Sequence, residues 1–69
     1  MNAQISTQEQ LEWLQAFYNG LNAKPTTVDG LIRLANVNGL YDAADHVYRK
    51  AFPDGVPCAK TLTPDLMVW

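Results

Sequence analysis

Leu34-Ala35-Asn36-Val37-Asn38-Gly39-Leu40-Tyr41 is the stretch where the chain must change direction. Before it, Val28, Leu31, Ile32 and Ala35 recur at helical spacing. After it, Leu40, Ala43, Ala44, Val47 and Ala51 do the same, but rotated by about 120° from where an unbroken helix would carry them. One straight helix cannot hold both stripes against one core. The Asn38-Gly39 pair tolerates left-handed backbone angles, so the turn is placed there. The phase break therefore predicts one helix over about residues 27–37, capped by Thr26 or Thr27, and another over about 41–52.

Working outward, Ser6-Thr7-Gln8-Glu9 has the form of a capping box: a hydroxyl for a first-turn amide, and a carboxylate that can reach back to the cap. It predicts a helix over about 7–21. Leu11, Leu14, Phe17, Tyr18 and Leu21 fall within about 120° of one another, with Glu12, Gln15 and Asn19 opposite and Trp13 on the flank. On the other side, Phe52-Pro53-Asp54-Gly55 stops the third helix, because a residue before proline is pushed out of the α region. Residues 59–63 are expected to run as a short edge strand or arm. Thr63-Pro64-Asp65 has the cap, first-position proline and early acid of one helical turn carrying Leu66 and Trp69 on one side. The expected fold is all-α: a single domain over residues 1–69, three short helices and an extended C-terminal arm.

A chain of 69 residues lies where one hydrophobic core rarely supplies more than about 3–5 kcal/mol, so staples or partners usually help. Cys58 is the one cysteine and His46 the one histidine. Neither a disulfide nor a structural zinc site can therefore be assembled. Apolar side chains make up 48% of the chain, which closes on Leu66-Met67-Val68-Trp69. Oligomerisation is the remaining common remedy, and a homodimer is expected. Trp13, Leu34, Val37, Leu66 and Trp69 are the residues expected to be covered by the arm or by a second subunit, since they exceed what the three helix faces need.

Five basic against seven acidic side chains give a net charge of −2, the wrong sign for a nucleic-acid footprint. The acids are too scattered for a DNA mimic. No apolar run reaches the length of a bilayer span and no secretory leader is visible, so a cytoplasmic location is expected. Enzyme chemistry finds no foothold. There is no glycine-rich phosphate loop, no paired-histidine motif and no dinucleotide fingerprint. Cys58 and His46 lack neighbours that would activate them. Asp42 and Asp45 suit a helix N-terminus better than acid–base work. No catalytic residue, cofactor or metal is expected.

Two constellations remain. Leu34, Ala35, Gly39 and Leu40 match a helix-turn-helix outline, but Asn38 and Asp45 stand where that motif buries apolar side chains, and Asp42 and Asp45 would repel phosphates. A small DNA-binding regulator is thus the alternative, not the leading reading. The leading surface is Tyr41, Asp45, Tyr48, Arg49 and Phe52 along the third helix, with Arg33 on the second. Tyrosine, arginine and other rings dominate binding hot spots because they bury much area at modest entropy cost.

Opening Met1-Asn2-Ala3-Gln4-Ile5-Ser6 and closing Asp65-Leu66-Met67-Val68-Trp69, this compact acidic chain resembles the small quorum-sensing anti-activator proteins of temperate bacteriophages. The resemblance covers the whole chain in length and character and rests on no diagnostic motif. It implies a helical homodimer in the infected host cell that binds a LuxR-type transcriptional activator at its DNA-binding domain, and a second target in the ATPase that drives pilus extension. Another phage inhibitor, such as an anti-CRISPR protein, would share this character and differ in its target.

Overall fold

The computed structural model describes residues 5–68. Within them the chain folds as three α-helices, α1 (Thr7–Gly20), α2 (Val28–Val37) and α3 (Tyr41–Ala51), followed by a single 3-10 turn, Pro64–Met67. Each boundary has a local cause. The Ser6 hydroxyl accepts from the Glu9 amide at 3.2 Å and starts α1. Half of the expected capping box is thus made: the Ser6 amide donates no return bond to the Glu9 carboxylate. Lys24 closes α1 by donating to the Leu21 carbonyl at 2.8 Å, a cation where the helix dipole is negative. Thr27 caps α2 by accepting from the Gly30 amide at 3.2 Å.

The turn between α2 and α3 follows from Gly39, whose φ of 74° is left-handed. That angle lets the Leu40 amide reach back to the Ala35 carbonyl (2.8 Å) and the Gly39 amide to Asn36 (3.1 Å), the paired bonds of a Schellman motif. Leu40 is thereby driven into the core, 2% exposed. Its carbonyl accepts the Ala44 amide at 3.0 Å, so α3 starts directly beyond the turn. α2 and α3 form the most extensive helix pair, and α1 packs across both.

Beyond α3 the chain returns to α2. The Val28 amide donates to the Lys60 carbonyl (3.0 Å) and the Leu62 amide to the Thr26 carbonyl (2.8 Å), forming one isolated antiparallel bridge between Thr27 and Thr61. This bridge aims the 3-10 turn at α3, and Leu66 enters the core, 8% exposed. Lys50 donates to the Val68 carbonyl. Trp69, assigned with Leu66 to the arm or dimer surface on sequence grounds, lies outside the described residues, as do residues 1–4.

The core is thin. Among the described residues it comprises twelve apolar side chains, four of them alanines, and Phe52 is its one aromatic ring. Alanine at Ala35, Ala43, Ala44 and Ala51 allows close helix approach but contributes little buried area per residue.

Gly30 shows how close that packing is. A Cβ there would lie 2.7 Å from the Pro25 Cβ, a rigid ring atom with little freedom to yield. Gly30→Ala improves helix propensity by about 1 kcal/mol, yet overpacking costs about 1–3 kcal/mol. The expected outcome is a melting temperature lower by about 5 °C in a calorimetric scan. A rise in melting temperature would show that the Pro25 loop gives way.

Candidate functional site

Tyr41, Asp45 and Arg49 stand on one exposed face of α3. Tyr41 is 67% exposed, and the Arg49 Nε lies 2.9 Å from the Asp45 Oδ2 in an i,i+4 ion pair open to solvent. Such a pair adds only about 0.3–0.5 kcal/mol to folding. Its charges therefore remain available to a partner at small cost.

Tyr48 and Phe52 are placed differently from a simple helical line. Phe52 ends α3 with φ −126° and ψ 72°, as the proline after it requires. The ring therefore leaves the helical projection and turns inward, 7% exposed. Its place in the partner-binding line is corrected accordingly: Phe52 supports that line from beneath. Tyr48 is half-buried and packs edge-on against Phe52, with ring centroids 5.1 Å apart and planes at 65°. The Tyr48 hydroxyl donates to the Gly55 carbonyl at 3.2 Å. Lys60 sits over the Phe52 ring, its Nζ 5.5 Å from the centroid, and donates to the Ala51 carbonyl. Tyr48 is thus held at both ends, a rigid edge beside the freer Tyr41.

Beside this face, Thr7 of α1 and Asp42, Asp45, His46, Arg49 and Lys50 of α3 line an open polar groove. Its two acids, Asp42 and Asp45, precede His46, Arg49 and Lys50 along α3. Among the described residues no group of three or more His, Cys, Asp or Glu is placed to hold a metal ion. No described helix is long and apolar enough to cross a membrane. Cys58 is exposed in the loop after α3, apart from the residues lining that groove.

Arg33, Leu34 and Val37 belong to another surface. They line a shallow apolar groove on α2 with Leu21 and Pro25, and Lys24 stands at its rim. Val37 is 74% exposed, while Leu34 is half-buried against the core. Trp13 lines neither groove and is 47% exposed on α1. The residues singled out from sequence therefore divide among three faces: Tyr41, Asp45, Tyr48 and Arg49 on α3, Arg33, Leu34 and Val37 on α2, and Trp13 on α1.

Two features were missed by counting apolar residues. Phe17, grouped with the core face of α1, is 40% exposed. Gln10 is buried, 7% exposed, and uses its whole amide. Its Oε1 accepts from the Asp42 and Ala43 amides (3.0 and 3.2 Å), and its Nε2 donates to the Ile5 carbonyl (3.3 Å) and the Asp42 Oδ2 (3.2 Å). Leu40, at the N-cap of α3, offers no side-chain bond, so a residue of α1 supplies the cap. The signal was one polar side chain in the core-facing phase of α1.

At the tail, the Asp65 carboxyl is held below its ordinary value of 3.8. The Thr63 side chain is the main cause, followed by the backbone amide of Asp65 itself, and Lys50 and Lys60 add attraction. No protein-family model, no curated protein and no solved structure matches this chain.

Proposed function

We propose that this is a non-enzymatic phage protein, a homodimer in the cytoplasm of the infected host cell, that binds and inhibits a host regulatory protein. The observation that carries the binding role is the α3 face, where Tyr41 is exposed beside the open Asp45–Arg49 pair and a pinned Tyr48. An exposed ring, a fixed ring and an arginine in a solvent-open pair are the components of a hot spot. The target class rests on the resemblance drawn from the sequence: a LuxR-type quorum-sensing activator whose DNA binding is blocked, with the pilus-extension ATPase as second target.

Charge is compatible with that reading. A DNA-binding domain presents a basic surface, and a partner of net charge −2 gains encounter rate from attraction, while buried rings set the residence time. The small charge makes the apolar contact the larger contribution. Direct DNA binding is disfavoured because Asp42 and Asp45, in the first turns of α3, would face the phosphates.

The double variant Tyr41→Ala, Arg49→Ala is expected to keep its helical circular dichroism and to lose at least tenfold in affinity for the purified activator domain, measured by titration calorimetry. Unchanged affinity would remove the α3 face from the proposal. A salt-dependent mobility shift with duplex DNA alone would replace inhibition by direct regulation.

A further inference from the structure

α1 carries three faces where a surface helix needs two. Leu11 and Leu14 enter the core. Gln8, Glu12, Gln15 and Asn19 form a polar face, tied along the helix by Gln8 to Glu12 and Gln15 to Asn19 hydrogen bonds of 3.3 Å each. The remaining stripe is Trp13, Ala16, Phe17 and Gly20, all exposed, within about 100° of arc, and the one charge in that arc is Glu9, a turn before Trp13. Trp13 and Phe17 stand one turn apart, 47% and 40% exposed. A second apolar face with two large rings, in a chain whose own described core holds one ring, Phe52, is a surface that a partner covers.

We infer that the occupant is α1 of a second copy of this chain, packed antiparallel about a two-fold axis passing between Ala16 and Phe17. The inference deepens the dimeric part of the reading above by assigning its surface, and rests on that part. Three observations favour a second copy. The stripe is self-complementary. In that register each Trp13 faces the partner's Gly20 and each Ala16 the partner's Phe17, so rings meet small residues in both directions, as an isologous contact requires. The ends are complementary in charge, because Glu9 and Glu12 lie at the start of α1 and Lys24 closes its end on the Leu21 carbonyl, so antiparallel pairing brings acid to base twice. The helix dipoles are then also opposed, positive end to negative end. A different protein would have no reason to match this large–small order and this charge order together.

The test uses the full chain in three measurements. Sedimentation equilibrium of the unmodified protein should give twice the chain mass. Phe17→Glu, with unchanged helical circular dichroism, should weaken self-association at least about 30-fold, the ratio that corresponds to loss of one hot spot. Ala16→Cys in a Cys58→Ser background places two thiols beside the axis and should form an interchain disulfide under mild oxidation. A monomer at every concentration would overturn the dimer itself. A dimer that withstands Phe17→Glu and fails to cross-link through residue 16 would leave dimerisation standing and overturn this surface. Recovery of association by combining Glu9→Lys with Lys24→Glu, each weakening it alone, would confirm the antiparallel register. Failure of that exchange to restore association would overturn it.

Discussion

Replacing Gln10 by leucine is expected to remove roughly 2–4 kcal/mol of folding stability, a large effect for an exchange to an apolar residue of similar length at a buried site. Leucine would gain in transfer to the interior. The loss comes from what the amide holds. With Gln10 gone, the Asp42 and Ala43 amides at the start of α3 lose their acceptor. Loss of a helix cap costs about 0.5–2 kcal/mol, and each buried donor left without a partner costs about 1–3 kcal/mol. Leu40 cannot substitute as a cap, and the Asp42 carboxylate loses the Nε2 that it accepts from. A core of this size supplies only about 3–5 kcal/mol, so urea titration followed by circular dichroism should find the variant near or below half-folded at 37 °C. A midpoint within experimental error of the parent's would mean that water replaces the amide.

The charged variant separates hydrogen bonding from shape. Gln10→Glu keeps an acceptor at the positive end of α3, which the dipole favours. It also sets a carboxylate where Nε2 lies 3.2 Å from the Asp42 Oδ2 and removes the donor to the Ile5 carbonyl. Two acids in contact raise the pKa of one of them in the folded state. A raised folded value means stability that is present below the unfolded value of about 4.3 and lost as pH rises through the folded one. Gln10→Glu should therefore be more stable at pH 4 than at pH 7 relative to the parent, and by more than Gln10→Leu, which puts no titrating group at position 10.

The same residue marks where a sequence stops being legible. The helix limits emerge to within about a residue because their causes are local: Ser6 before Glu9, Thr27 before Gly30, and the phase break resolved by Gly39. The cap of α3 is not local. Its acceptor lies 32 positions earlier, and nothing near Leu40 announces it. Helical projection likewise shows that Leu11, Leu14, Phe17, Tyr18 and Leu21 share a broad stripe, but not which edge of it a short partner pair can cover. α2 and α3 cover the Leu11–Leu14 edge and leave Phe17 with Trp13. On α3, Tyr41, Asp45 and Arg49 fall where spacing puts them, because Tyr41–Ala51 is regular helix. Projection fails one residue later, at Phe52, because the angle per residue holds only while the backbone is helical.

That failure makes Phe52 the position where the two readings of α3 diverge most in measurable consequence. As an outer member of a binding line, Phe52→Ala would leave folding intact and abolish association with the target. As placed in the structure, the ring fills the end of the core between Tyr48 and Lys60, and its removal should cost about 3–5 kcal/mol. Three losses contribute: the transfer of the ring itself, the edge contact that holds Tyr48, and the platform beneath the Lys60 ammonium that orients it toward the Ala51 carbonyl. In a chain with about that much stability in all, the expected result is loss of the cooperative melt and of amide protection at Val28 and Leu62, the two donors of the arm bridge. Phe52→Leu restores most of the volume without the quadrupole. It should refold the protein, with the Lys60 contact weakened and a deficit of about 1–2 kcal/mol. If Phe52→Ala instead melts like the parent, with its arm amides still protected, the ring faces outward in solution and the α3 surface extends through it to the turn at Gly55.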